Sequence, residues 1–213
     1  HGWPDFATAM RAVHAPQNAA DLLPTNPVRA RLAFDELLAN QLAMRMVRHS
    51  AAEATPGRTY CGDGHITRKL RASLPYEMTG AQNRAIAEIT GDQAKPKRML
   101  RMLQGDVGSG KTLVALWAML NAMEAGAQAA LLAPTEVLAR QHHASILAML
   151  APLDIEIGLL LGQGRGSANA KTGTATMPVL SRKDTLKKLA DGSLSLVVGT
   201  HALFSETVAF RDL

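Results

Sequence analysis

One cysteine, Cys61, in 213 residues excludes an internal disulfide and fits a reducing compartment. Aromatic residues are nearly as scarce. Four Phe, two Tyr and two Trp, scattered along the chain, are too few to form a platform on which successive bases stack. No apolar run reaches the roughly eighteen residues needed to span a bilayer, and the first residues lack the charged-then-apolar pattern of a secretory signal. The expected place of work is therefore the cytoplasm, without membrane contact. No zinc-ligand spacing, nucleophilic triad or glycosidase-type carboxylate pair is present. Cys61 and His65 are spaced like half of a metal site, but no second cysteine exists and both read as ordinary loop residues.

What is present is a chain that is 47% hydrophobic and 19% charged, enough to bury a core in one large domain or one and a half. A net charge of +5 and a pI near 9.7 favour an acidic partner without specifying one. The sharpest local signal is Gly105-Asp-Val-Gly108-Ser-Gly110-Lys111-Thr112. It matches G-x-x-x-x-G-K-[ST]. In that pattern backbone N–H groups, here of Gly105, Gly108, Ser109 and Gly110, close around phosphates; a lysine reaches the outer phosphates and a hydroxyl ligates Mg²⁺. Met99–Leu103 reads as an apolar strand entering the loop and Leu113–Ala125 as a helix leaving it. Phosphates would then sit at a helix N-terminus.

Along the rest of the chain, Asp5–Val13 reads as a short helix and the breaker-rich 15–26 as a connector. Asn26 and Pro27 open a long helix to about Ser50. Residues 51–73, with Pro56, Gly57, Gly62 and Gly64 among Arg58, Arg68, Lys69 and Arg71, read as a mobile connection ending in a basic helical turn. That sets a boundary between a helical linker region, 1–73, and a second region, 74–213. Thr79 offers an N-cap to a helix through about Thr90 whose first turn carries Gln82.

Strands are expected at Gln128–Ala133, Ile155–Leu161 and Leu194–Val198, with helices at Glu136–Leu150 and Val179–Asp191 and a long Gly/Ser/Thr loop over 162–178. Within that loop, Gly162-x-Gly164-x-Gly166 lacks the spacing of a dinucleotide fingerprint. His142 and His143 read as solvated helix residues. Strands alternating with helices imply an α/β fold, a parallel sheet with helices on both faces. Ligands of such sheets gather beyond the carboxyl ends of the strands, where Gly105–Thr112, Pro134-Thr135 and Gly199-Thr200-His201 all fall. The last two offer small polar residues and N–H groups suited to a nucleic-acid backbone.

Leu103–Thr112, Leu132-Ala-Pro-Thr-Glu-Val-Leu-Ala-Arg-Gln-His142 and Val198-Gly-Thr-His-Ala-Leu-Phe204 together resemble motifs I, Ia and Ib/Ic of superfamily 2 helicases. They are most similar to the RecG-like branch, with the transcription-repair coupling translocases as the nearest rival. Leu74–Gln82 and Arg31–Leu38 extend the resemblance over nearly the whole chain. It implies a P-loop (RecA-like) fold, incomplete here. Gln82 would contact the adenine edge, with Lys111 and Thr112 at the phosphates and Mg²⁺ of ATP. Pro134, Thr135, Gly199, Thr200 and His201 would lie along a DNA strand, and Arg140 would reach a phosphate or remain on the helix surface.

RecG-like proteins are ATP-driven translocases on double-stranded DNA that process branched structures, including stalled forks and four-way junctions, in repair and recombination. The family's Asp-Glu pair of motif II is missing: Asp35-Glu36 lies in the long helix. The second motor lobe and the junction-engaging wedge are missing too. The expectation is a piece of such a helicase that binds ATP and turns it over negligibly, since phosphoryl transfer depends on positioned charge. The competing expectations are a sequence-independent DNA-binding module working through Arg58–Arg71 and Arg165–Lys188, and an ATP-binding regulatory domain without helicase activity.

Overall fold

The structure is a computed structural model that describes residues 2–54, 56–162 and 180–213. The chain divides into two compact units, His1–Pro56 and Gly57–Leu213. The division falls inside the 51–73 connection rather than at its end, so residues 57–73 pack with the sheet.

The first unit is a pair of helices. Helix α1 (Phe6–His14) starts at Asp5, whose carboxylate accepts from the Thr8 N–H at 3.0 Å. Helix α2 (Pro27–Ala54) starts as expected at Asn26, whose side-chain oxygen accepts from the Val28 N–H at 2.9 Å. Trp3 and Phe34 meet at 5.2 Å between ring centroids. Ala9 is the one buried apolar residue of this unit among the described residues.

The second unit begins with α3 (His65–Ser73) and α4 (Gly80–Gln93). Then follow α5 (Lys111–Glu124), β1 (Ala129–Leu132), α6 (Glu136–Leu150), β2 (Gly158–Leu160), α7 (Arg182–Asp191) and β3 (Leu196–Gly199). The strands are parallel in the order β1-β3-β2, with Ala129 opposite Leu196 and Gly158 opposite Val197. β3 is buried throughout, and its alternate side chains enter two cores. Leu196 and Val198 join Leu116 and Leu120 of α5 and Ile146 and Leu150 of α6. Val197 joins Leu189 of α7, Leu160 and Leu203 on the other face. Helices therefore cover both faces, which is how a parallel sheet buries its strands.

One expected strand does not form. Residues 99–103 are irregular, with Leu100 84% and Met102 87% exposed. A short apolar run makes a segment fit for a sheet, but a strand exists only where a partner offers a ladder. Among the described residues 99–103 have none. The connection read as mobile is, from Gly57, a held segment. Gly57 N–H donates to Pro96 O and Tyr60 N–H to Gln93 O at 2.8 Å, and α3 follows. His65 opens that helix rather than lying in a loop. The loop expected over 162–178 lies, beyond Gly162, outside the described residues, as do Gly164, Gly166, Arg165 and Val179. The helix that follows starts at Ser181, whose hydroxyl accepts from the Asp184 N–H.

Candidate nucleotide site and the loops at the strand ends

Helix α5 runs into β1 through only four residues, 125–128, with Gly126 at φ +83° closing the helix. Its first turn therefore points toward the end at which β1 finishes. That turn has no side-chain cap; the Leu113 N–H turns back to Gly110 O at 3.0 Å, which leaves the N–H groups of Lys111 and Thr112 open to an anion. Gly108 (φ +80°) and Gly110 (φ +82°) turn the loop through left-handed backbone. A Cβ on Gly110 would stand 2.3 Å from Gln82 Nε2. The loop is folded on itself: Lys111 Nζ donates to Gly105 O at 2.7 Å and Asp106 O at 2.6 Å. Thr112 lies half-buried in the same turn.

Gln82 belongs to this loop as well as to its own helix. Thr79 and Gln82 form a capping box, with Thr79 N–H on Gln82 Oε1 at 2.9 Å and Gln82 N–H on Thr79 Oγ1 at 3.2 Å. The remaining amide group, Nε2, donates to Ser109 O at 3.0 Å. The first turn of α4 and the loop that enters α5 are thus tied together by one carboxamide. The donor set fits a polyphosphate with its metal: uncapped N–H groups, an ammonium, a hydroxyl, and glycines whose positions a side chain would fill.

The turns beyond β1 and β3 are adjacent, with Ala133 N–H on Gly199 O at 2.8 Å. Pro134 and Thr135 are exposed, and Thr135 Oγ1 accepts from the Leu138 N–H at 3.3 Å as the N-cap of α6. His201 is exposed and Arg140 half-buried. Gly199 and Thr200 are buried instead. Thr200 N–H donates to Leu160 O at 3.2 Å, and a Cβ at 199 would lie 2.4 Å from that same oxygen.

Sequence reasoning missed several features. His143 is not solvated. It is 7% exposed, its Nε2 contacts Ile157 O at 3.3 Å, and loss of hydration holds its imidazole below the usual pKa, partly offset by that bond. Much of the basic cluster is engaged within the protein: Arg58 pairs with Asp212, Arg68 donates to Asp63 O at 2.9 Å and Arg71 to Asn83 Oδ1. Asp63, His65 and Glu124 converge. His65 holds the Asp63 carboxyl below its ordinary range through a hydrogen bond, while the Glu124 oxygens are taken by N–H groups of α3. Cys61 is free and exposed. A cavity of about 550 Å³ beside the first turn of α4 is lined by Arg71, Tyr76, Glu77 and Asn83 among others. Only Leu74–Met78, adjoining the Gln82 motif, hinted at it.

The DEAD/DEAH box helicase family model matches residues 79–212, more than half of the chain. The chain belongs to the DEAD/DEAH box helicase family. It is 44% identical over 213 residues to the ATP-dependent DNA helicase RecG of Acidithiobacillus ferridurans and 41% identical over 209 residues to that of Escherichia coli K12. These matches take in 99% and 96% of this chain but 29% and 28% of those proteins, so the chain spans under a third of the relatives' length. A solved structure of RecG bound to a three-way DNA junction matches with a TM-score of 0.76 at 36% identity, over 96% of this chain and 26% of that one. The matched region thus includes both the glycine loop and the paired strand-end turns. Among the described residues no helix is long and apolar enough to cross a membrane.

Proposed function

We propose that this chain binds Mg²⁺-ATP in the Gly105–Thr112 loop. In this reading residues 74–213 are the front part of the first motor domain of an ATP-dependent DNA translocase acting on branched double-stranded DNA in repair and recombination, in the cytoplasm. The observation that carries the reading is the uncapped start of α5, entered through two left-handed glycines and tied to Gln82 through Ser109 O. N–H groups of Gly108, Ser109 and Gly110 hold the phosphates, and Lys111 moves from the Gly105 and Asp106 carbonyls to the outer phosphates. Thr112 would ligate the Mg²⁺, whose charge would offset that of the phosphates. Gln82 reaches the edge of the base.

Pro134, Thr135 and His201 face the DNA backbone, with Arg140 beside them on α6. Gly199 and Thr200 act there through main-chain groups, because their side-chain positions are packed. Binding to DNA is independent of sequence, since among the described residues no element offers side chains arranged to read bases. The residues present include no Asp-Glu pair after an apolar strand, so turnover by this chain alone is negligible. The missing groups come from the rest of a RecG-like protein.

Calorimetry with Mg²⁺-ATP on this chain and its Lys111→Ala variant, with phosphate release followed alongside, tests the reading. Binding to the parent, at least about a hundredfold weaker in the variant, is expected, with no turnover in either. Equal binding in both would overturn the assignment. Binding of a forked duplex at rising salt is the second arm; log K is expected to fall by about 0.9 per phosphate neutralised. Nucleotide binding without DNA affinity would favour a regulatory domain.

A further inference from the structure

Helix α3 ends before residue 79, where the match to the family begins, yet it is fastened to both helices that build the nucleotide site. Its N-terminus has no cap of its own: Gly64 stands at the cap position with φ +79°. Glu124, the last residue of α5, supplies the cap from outside. Its carboxylate accepts from the N–H groups of Gly64 at 2.6 Å, Ile66 at 2.7 Å and Thr67 at 2.8 Å. A carboxylate at a helix C-terminus is normally unfavourable; here the positive end of α3 offsets it. Asn121, one turn earlier on α5, accepts from the Gly62 N–H and donates to Tyr60 O and to Gln93 Oε1 of α4, both at 3.0 Å. Those bonds fix the far ends of α4 and α5 to the segment that leads into α3.

The other end of α3 reaches the first turn of α4 and the middle of α5. The Arg71 guanidinium lies 5.6 Å from the ring centroid of Trp117 on α5 and donates to Asn83 Oδ1 on α4. Asn83 Nδ2 in turn donates to Met78 O and Thr79 O, both at 3.1 Å. It therefore shapes the turn from which Gln82 extends to Ser109 O. Arg71 and Asn83 both line the 550 Å³ cavity beside that turn.

We propose that Arg71 is a positioning residue for the base end of the nucleotide site, held in place by the cap that Glu124 puts on α3. The segment before the family's matched region then acts as a third wall of that site. Arg71 works through Asn83 and the first turn of α4, so it affects recognition of the base and not of the phosphates. A planar guanidinium is needed, because one group must both stack on an indole and donate in its own plane. This inference rests on the nucleotide-binding reading above.

Calorimetry of the whole chain with Mg²⁺-ATP and with Mg²⁺-tripolyphosphate separates the two ends of the site. Arg71→Ala is expected to weaken ATP binding about tenfold and leave tripolyphosphate within about twofold. Arg71→Lys should behave like Arg71→Ala despite keeping its charge, and Glu124→Gln should move the ratio the same way by about threefold. A loss shared equally by both ligands, or no loss in either, overturns the proposal. So does a parent chain that binds tripolyphosphate as tightly as ATP, which leaves the phosphate-loop reading standing. A parent that binds neither ligand overturns that reading and this inference with it. Should Arg71→Ala fail to fold, the ratio for Arg71→Lys and Glu124→Gln decides the matter.

Discussion

Gly110 and Gly199 each stand where a motif loop meets an element, one at the start of α5 and one at the end of β3, and neither tolerates a side chain. The reasons differ. At 199 a Cβ would meet the Leu160 carbonyl at 2.4 Å and Leu203 Cγ at 2.9 Å, backbone and packed core that cannot step aside. At 110 the obstacle is the end of the flexible Gln82 side chain at 2.3 Å, joined to a left-handed φ of +82°. One glycine preserves the close contact of strands; the other keeps a cradle of donors open. The same residue type thus serves strand contact at 199 and, in the proposed reading, a ligand at 110.

Substitution at the two sites should separate those uses. Gly199→Ala is expected to cost at least about 2 to 3 kcal/mol of stability, measured by urea unfolding, by forcing the backbone contact between β3 and β2 apart. Whatever fraction stays folded should bind Mg²⁺-ATP normally. Gly110→Ala should cost less, about 1 to 2 kcal/mol for an alanine held left-handed, while abolishing ATP binding. If the stability losses were reversed, or if Gly110→Ala bound nucleotide as the parent does, the contrast would be broken.

Thr135→Ala sharpens the comparison from the exposed side of the same sheet end. Loss of the α6 N-cap should cost about 1 kcal/mol and leave ATP binding unchanged in calorimetry. The smallest effect concerns pH. His143 is buried and its pKa lies below the ordinary 6.5, so the unfolded chain takes up a proton more readily than the folded one. Its contribution to stability is intact above the unfolded value and is lost as pH falls through 6.5 toward the folded pKa. Urea midpoints at pH 7.5 and 5.5 should converge in His143→Gln relative to the parent.

Most elements of the second unit were legible because local chemistry decides them. Thr79, Thr135 and Gly126 mark helix ends by caps or a left-handed stop, and the apolar runs at 129–132 and 196–199 are long enough only for buried strands. The segment 99–103 differs from its expected strand because a short apolar run reports what a strand would bury and says nothing of whether a partner lies alongside. The phosphate loop was legible as a pattern. Its tie to Gln82 was not, since that bond spans residues 82 and 109. Glu124 was invisible for the same reason: at the end of a helix it reads as a poorly placed charge until α3 is brought against it. His143 on its helix gave no sign that Ile157 would close over it.

The order of the sheet has a consequence for how the chain comes together during synthesis. Among the described residues β1 and β2 do not pair with each other; each pairs only with β3, which is made after both. A chain growing from its N-terminus therefore holds two apolar strands without partners until residues 196–199 emerge. Pairing then closes two long loops at once, a high-contact-order event that is intrinsically slow. In that interval α5 and α6, rather than any sheet, must shield β1 from aggregation. Of the three described strands, the last to be translated is the one that joins the other two.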